Sequence, residues 1–534
     1  MEQLACTIAS PFNQTTTDAS FNTSTPAGLE AWIYWHYRQD AFHPDGRFKG
    51  LEWFRKYLFS LDTDSDIGDD YLSKDDSASQ SRGSDDMDFL LFSTSGDDDD
   101  DENTQASGEV TSVRHAPLID IHVISGNNER LLPQYGLLGL HDEARDAKSK
   151  LLLNTNVPFS MFICGVQGSG KSHTTSCILE NSLVPSKHLG KLCNPLSALV
   201  FSYAPFSGDG AGFTVSEAAF LASPSPRLPD GVHVKRVRVL VSPSNFVRIS
   251  KLYLQLPNVS VTPFKIKSRD LDIETMLTLM NVKVSEETPL YMSQAMKILR
   301  EMSTAGGAFD YKMFKRQLKK KAFNPTQASM LQMRLDLLES FLDTSDDCLE
   351  LHFHPGEITI MDMSCPFVDA NTACILFKIG LKLYLQAQGT GKMIVLDEAH
   401  KYMLNEPGAK SLNETLLQTI RLQRHYGARV IISTQEPTLL TNLIALCSVT
   451  VIHRFSSPEW FSAIRRHIPI AADERDSLMQ RIENLRTGKA IVYSPNAVLG
   501  HDQSGNLIMG TSRMVNVSIR RRLTNDGGQS ILAV

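Results

Sequence analysis

The chain has 534 residues, 42% hydrophobic and 21% charged, with a net charge of −7. That length allows two or three domains and a large core, and the composition is that of a globular chain rather than a fibrous or wholly disordered one. The eight cysteines are scattered without a C-x-x-C pair, which excludes a zinc-ribbon or disulfide framework and reads as reduced core thiols of an intracellular chain.

The charge is split. Residues 1–110 carry 23 acidic and 7 basic side chains, and the remainder carries 37 and 46. The larger part is therefore mildly basic and compatible with a polyanionic partner. No basic-then-apolar leader opens the sequence. The longest apolar stretch, Leu439 to Ile452, is broken by Thr441, Asn442, Ser448 and Thr450 and falls short of the ~20 residues a membrane span needs. Cytoplasm or nucleus is the expected compartment, without a signal peptide or transmembrane segment.

Three regions are expected: an aromatic-rich segment 1–60, an acidic linker 61–110 and a domain 111–534. Within the first, Gly28 to Ser60 holds Trp32, Trp35 and Trp53 among many Tyr and Phe residues. This reads either as a flap packed on the chain's own core or as a partner-binding arm. The linker is rich in Asp and Ser and includes the acidic run Asp97 to Glu102, which cannot bury enough apolar surface to order itself. It is a solvated tether or a polyanion mimic.

Beyond Val110, strands and helices alternate. Strands are expected at Leu118–Ile124, Phe159–Cys164, Leu196–Tyr203, Val237–Val241, Glu357–Met363, Met393–Leu396, Val430–Ser433, Val449–Phe455 and Ala490–Tyr493, mostly as unbroken apolar runs of parallel-sheet type. Helices are expected at Ser172–Asn181, Cys374–Gln386 and Leu412–Tyr426. The class is α/β, a mainly parallel sheet covered by helices, with ligands at the carboxyl ends of the strands. A helical insertion spans about 272–349, with apolar positions Met330, Met333, Leu335, Leu338 and Phe341, and is read as lying on the sheet. Its basic run Lys315 to Lys321 is a solvated helix face or a contact for nucleic acid.

Gly165-Val-Gln-Gly-Ser-Gly-Lys171-Ser172 fits G-x-x-x-x-G-K-[ST] and lies between an apolar run and a helix-like one, as a phosphate-binding loop must. Glycines let successive backbone N–H groups face phosphate, the lysine reaches the β/γ oxygens, and the serine hydroxyl suits Mg²⁺. Gly165, Val166, Gln167, Gly168, Ser169, Gly170, Lys171, Ser172 and His173 are therefore the candidate nucleotide-binding residues. Met393 to Leu396 ends in Asp397-Glu398, the form of a Walker B strand. There Asp397, with Ser172, would hold Mg²⁺, and Glu398 would polarise the attacking water.

Asp397-Glu-Ala-His400 looks like a DEAH-box helicase motif, and spacing argues against that reading. Lys171 and Asp397 are 226 positions apart and 137 residues remain after Asp397, too few for the second motor domain that such helicases need. His400 reads as a local helix-start residue. Downstream, Arg421 and Arg424 are three apart on an expected helix face. The strand Val430 to Ser433 then delivers Gln435, whose amide can bond the γ-phosphate or the lytic water.

Taken together, GVQGSGKS, IVLDEAH, RHYGARVIISTQEP and the closing stretch from Gly488-Lys-Ala-Ile-Val to Val515-Asn-Val-Ser-Ile-Arg520 resemble the HerA/FtsK superfamily of ring-forming DNA-pumping P-loop ATPases. The likeness runs from about Leu118 to the C-terminus and implies a RecA-like core. It implies ATP and Mg²⁺ as cofactors, a homo-oligomeric ring such as a hexamer, and double-stranded DNA as partner. It carries over Lys171, Ser172, Asp397, Glu398 and Gln435, and matches Arg424 to an arginine reaching a neighbour's γ-phosphate. Arg520, Arg521 and Arg522 lie where the family places a C-terminal brace near the next subunit. Residues 111–157 are shorter than the β-barrel that HerA proteins carry before the motor. Two other readings remain open: an ATPase remodelling protein partners, and a nucleotide-binding scaffold without turnover.

Overall fold

The structure, a computed structural model, describes residues 111–527 apart from 125–131, 143–147, 206–213, 227–230, 268–275, 277–289, 305–308, 322, 344–350, 390, 470–474 and 512. The aromatic-rich segment and the acidic linker lie outside the described residues. In chain order come β1 (Leu118–Asp120), β2 (Tyr135–Asp142), β3 (Lys148–Leu153), β4 (Ser160–Cys164), α1 (Lys171–Leu183), β5 (Gly190–Lys191), β6 (Ser197–Ser202), β7 (Arg236–Val241), β8 (Val259–Pro263) and β9 (Ile266–Lys267). Then follow α2 (Leu290–Thr304), α3 (Tyr311–Lys319), α4 (Pro325–Phe341), β10 (Leu342–Asp343), β11 (Glu357–Asp362), α5 (Ala370–Gln386) and β12 (Lys392–Leu396). The chain closes with α6 (Pro407–Arg421), α7 (Gln423–Tyr426), β13 (Ala428–Thr434), β14 (Val449–Ile452), β15 (Lys489–Tyr493), β16 (Val498–His501), β17 (Leu507–Met509) and β18 (Met514–Ile519).

Half of the main sheet is parallel, in the order β14-β4-β13-β12-β6-β11-β7-β8. Every residue of β4, β12 and β13 is buried, as expected for strands covered on both faces. Side chains alternate across a strand, and the two cores reflect it. Phe162, Phe201, Leu396 and Ile432 join one cluster, while Met161, Val200, Val395 and Ile431 join the other. The strand inserted between the P-loop strand β4 and the Walker B strand β12 is β13, the arrangement of a RecA-like P-loop NTPase core.

Beyond β14 the sheet turns antiparallel through β15, β18, β2 and β3 to β1, which carries β16 and β17 at its edge. Residues before the motor thus pair with residues after it, so the short region 111–157 completes a sheet with strands from the C-terminal end. The expected strand Leu118–Ile124 stops at Asp120, whose carboxylate accepts the His122 N–H at 2.7 Å and turns the chain into a one-turn helix. Such side-chain bonds two residues on compete with the strand ladder. Likewise Val449–Phe455 leaves the strand at Ile452.

The described part of the insertion is helical, and α2, α3 and α4 pack on the first core through Leu299, Phe314, Leu335, Leu338 and Phe341. Asn324 and Gln327 form a capping box that starts α4. Met330 and Met333 do not join this packing; they are 51% and 71% exposed because they fall off the stripe that Leu335 and Leu338 define. The expected helix Leu412–Tyr426 is interrupted at Leu422, whose φ of −102° and ψ of 17° leave helical geometry, so Arg421 and Arg424 do not share one continuous helix face.

After β18, residues 520–526 fold back as a strap on α1. Glu180 of α1 is fully buried and accepts Arg520 Nη1 at 2.6 Å, the Leu523 N–H at 3.0 Å, the Thr524 N–H at 2.9 Å and the Thr524 hydroxyl at 2.6 Å. Arg520 also donates to the carbonyls of Leu137 and Cys177 and to Asn181. These donors are committed inside the chain. Arg520 therefore fastens the last strand to the P-loop helix. Glu180→Ala strips a buried cation and two backbone donors of their acceptor and is expected to lower stability by about 3–5 kcal/mol. Urea denaturation showing a loss under about 1 kcal/mol would contradict this role for the strap.

Candidate functional site

The loop after β4 is shaped by glycine and by its neighbours. Gly165 has φ 153° and Gly170 φ 112°, values that other residues rarely adopt. A Cβ on Gly165 would also lie 2.7 Å from the Cβ of His453. The segment after β14 pegs the loop from below. The His453 N–H donates to the Cys164 carbonyl at 2.8 Å, and the Val166 N–H to the Arg454 carbonyl at 2.9 Å. The His453 ring is fully buried beneath the loop. It accepts the Thr174 hydroxyl at Nε2, 3.0 Å away, and donates from Nδ1 to the Lys489 carbonyl at 3.2 Å. Burial holds this imidazole down at about 4, so it is a neutral strut.

A cavity of about 710 Å³ opens at the carboxyl ends of β4, β12 and β13, large enough for a nucleotide. Its walls include Gln167, Gly168, Gly170, Lys171, Ser172 and His173 from the loop and α1, with Asp397, Glu398 and Gln435 from the neighbouring strand tips. The structure thus brings most of the expected site residues around one space. Gly165, Val166 and Ser169 shape the loop rather than line the cavity: Ser169 donates from its hydroxyl to the Val166 carbonyl at 2.7 Å. His173 donates from Nε2 to the Arg520 carbonyl at 2.8 Å.

Electrostatics concentrate at the tip of β12. Lys171 Nζ donates to the Val166 carbonyl at 3.1 Å and stands 3.9 Å from Glu398 Oε1; burial lowers its pKa, against the pull of Glu398 and Asp397. Gln435 Nε2 donates to Glu398 Oε2 at 2.6 Å. His400 does more than start a helix. Its Nδ1 accepts the Gln435 N–H at 3.3 Å, which makes Nε2 the protonated nitrogen, 3.5 Å from Glu398 Oε2. Glu398 itself has φ 47°, an uncommon non-glycine conformation that turns its carboxylate to these partners.

Asp397 is different. Although part of the residue reaches the surface, its Oδ1 is enclosed and has no hydrogen-bond partner. Burial first, and then the neighbouring Glu398, push the carboxyl up to about 7. A buried oxygen in want of a partner beside a serine hydroxyl suits a divalent cation, and the donor set of Ser172 and Asp397 fits Mg²⁺.

Arg424 is not part of this cavity. It is exposed on α7, which feeds the amino end of β13, whereas the loop follows the carboxyl end of the parallel β4. It therefore stands at the opposite edge of the sheet from its own chain's site.

Sequence reasoning missed His453, which looked like an interior residue of a strand, and Glu217, Lys401 and Asp526, which also line the cavity. The polar pair His453-Arg454 closing an apolar run was a usable signal for the first. Nothing local marks Glu217 or Asp526, because the fold alone brings them in.

No family model matches the chain, and no curated protein does. Among solved structures it is similar to VirB4 of Thermoanaerobacter pseudethanolicus, at 12% identity and TM-score 0.39 over 68% of this chain and 89% of that one. It is also similar to the plasmid coupling protein TrwB in complex with ADP and Mg²⁺, at 12% identity and TM-score 0.37 over 69% and 87%. A third is the genome packaging NTPase B204 of Sulfolobus turreted icosahedral virus 2 in complex with AMPPCP, at 10% identity and TM-score 0.24 over 66% and 96%. Among the described residues no helix is long and apolar enough to cross a membrane.

The His453 strut has a pH signature. Its folded pKa lies below the ordinary 6.5, so the unfolded chain takes up the proton first as pH falls. Its contribution is intact above about pH 6.5 and is lost on the way to about pH 4, a change on the order of 3 kcal/mol. His453→Gln should flatten the fall in stability across that window, measured by urea denaturation at each pH. An unchanged pH slope in the variant would show that the ring is not buried neutral. By its strand order and its glycine loop, the chain has the RecA-like P-loop NTPase fold.

Proposed function

We propose that this chain is a Mg²⁺-dependent ATPase of the HerA/FtsK superfamily that moves double-stranded nucleic acid, working as a homo-oligomeric ring with hydrolysis at subunit interfaces. The observation that carries the reading is the convergence of Lys171, Ser172, Asp397, Glu398 and Gln435 on one cavity, with Gln435 bonded to Glu398. Ser172 and Asp397 would hold Mg²⁺, which when bound neutralises charge on the β- and γ-phosphates. Lys171 and the backbone N–H groups of the loop bind the same oxygens. Glu398 would orient and polarise the attacking water, accepting its proton as the water oxygen bonds to the γ-phosphorus and the bond to the bridging oxygen breaks, releasing ADP. Gln435 and His400 fix where that carboxylate points.

Arg424 supports assembly. Exposed and on the far edge of the sheet from its own site, it is placed to serve a neighbour's nucleotide in a ring, where such a residue is typically worth ~10³–10⁵ in rate. The exposed Lys312, Arg316, Lys319, Lys320 and Lys321 on and just after α3 favour a nucleic-acid cargo over a protein one. Lys315 is tied to Glu339 at 2.6 Å and is not part of that face.

In purified protein, ATP turnover should need Mg²⁺ and rise on addition of duplex DNA, with an affinity that falls steeply with salt. Glu398→Gln should bind ATP and lose turnover by about 10²–10⁴-fold. Arg424→Ala should likewise keep ATP binding and lose turnover. Failure of the wild type to bind ATP would remove the whole reading. Indifference to DNA would leave the ATPase and remove the cargo, and full turnover by Arg424→Ala would remove the trans role.

A further inference from the structure

Glu217 opens a short 3₁₀ helix, Glu217–Ala222, far in sequence from every motif above. Its backbone is fixed from the sheet: the preceding Ser216 N–H donates to the Tyr253 hydroxyl at 2.9 Å, and that hydroxyl donates to Asp362 Oδ2 at 2.6 Å. Asp362 is buried at the tip of β11 and also accepts the Ser364 N–H at 3.0 Å. From this anchored position Glu217 lines the nucleotide cavity beside Ser172 and Asp397. The same three residues, with Thr175, also wall a second space of about 10 Å³ between α1 and the strands β6 and β12, close to what one water molecule requires.

The other side of Glu217 belongs to the strap. Arg522, 6% exposed, donates from Nη1 to Glu217 Oε1, and the Gly527 N–H reaches the same oxygen at 3.3 Å. Arg522 is itself held by Thr524 at 3.3 Å and by Asp526 at 3.6 Å. Both described hydrogen bonds to Glu217 fall on Oε1, which leaves Oε2 for the cavity. A surface ion pair would not need so constrained a carboxylate, set beside the orphaned Oδ1 of Asp397.

We infer that Glu217 is a further carboxylate of the magnesium–nucleotide site, accepting a hydrogen bond from a metal-bound water, and that Arg522 of the C-terminal strap is the positioning residue that aims it. This rests on the nucleotide-site reading above. Mg²⁺ keeps several of its waters when it binds, and carboxylates that accept from such waters orient the ion without ligating it. The strap thereby ties the carboxyl terminus to metal binding.

The test is binding of a fluorescent ADP analogue to the full chain, titrated with MgCl₂ and repeated in EDTA. Glu217→Gln keeps the shape and an acceptor for Arg522. It is expected to raise the Mg²⁺ concentration at half-effect by about tenfold or more, while metal-free affinity does not fall. Arg522→Lys, which keeps the charge and loses the fork, is expected to shift the Mg²⁺ midpoint in the same direction by less. An unchanged midpoint in Glu217→Gln overturns the inference. So does an equal loss of affinity with and without Mg²⁺, which would mark a purely structural residue. A wild type that binds no nucleotide at any Mg²⁺ concentration would instead sink the nucleotide-site reading beneath it.

Discussion

The site depends on one constraint, the parallel register of β4, β13 and β12. Thr434 lies opposite Cys164 and Leu396 opposite Ile432, so the three strands end nearly level and release their loops into the same space. The glycine loop, the acidic pair and Gln435 meet because backbone ladders fix those ends, and no side-chain attraction has to gather them. A shift of one residue would move every side chain of a strand to the other face and bury Asp397 or expose the core. Two apolar clusters, one on each face, hold the register against such a slip.

Onto this frame the chain sets groups that are costly to bury. Lys171 is 4% exposed, Asp397 Oδ1 has no partner, and Glu398 sits among Lys171, His400, Lys401 and Gln435. Each would gain from water or from an ion pair elsewhere. Their retention at a cavity mouth is the pattern expected where a polyphosphate and its cation are the intended partners. The neutral His453 beneath the loop and the Glu180 clasp behind α1 supply the rigidity that such a site needs, since both tie α1 to strands that follow it in sequence by hundreds of residues.

Much of this was legible in the sequence, for reasons that differ by element. The loop was readable because its glycines and Lys171 have few other uses at that spacing, and β12 and β13 because buried parallel strands are unbroken apolar runs. The strands β2 and β3 were missed. Tyr135–Asp142 mixes glycine, histidine and aspartate, and its half-polar pattern belongs to an antiparallel edge region that only pairing with β18 makes plain. The cis role of Arg520 was hidden as well, because nothing local in the sequence joins it to Glu180, 340 positions away. Glu217 and Asp526 carry no local signature at all; they reach the cavity through the Ser216–Tyr253 hydrogen bond and through the contacts of both carboxylates with Arg522.

The central claim is spatial: one magnesium–triphosphate pocket is built jointly by the glycine loop and by a carboxylate pair 226 positions away. A crystal structure of the chain with Mg²⁺ and a non-hydrolysable ATP analogue tests it directly. The account predicts the metal between the Ser172 hydroxyl and the Asp397 side, with the γ-phosphate within reach of Lys171 and Glu398. Nucleotide bound at another place on the sheet, or a metal remote from Asp397, would contradict it.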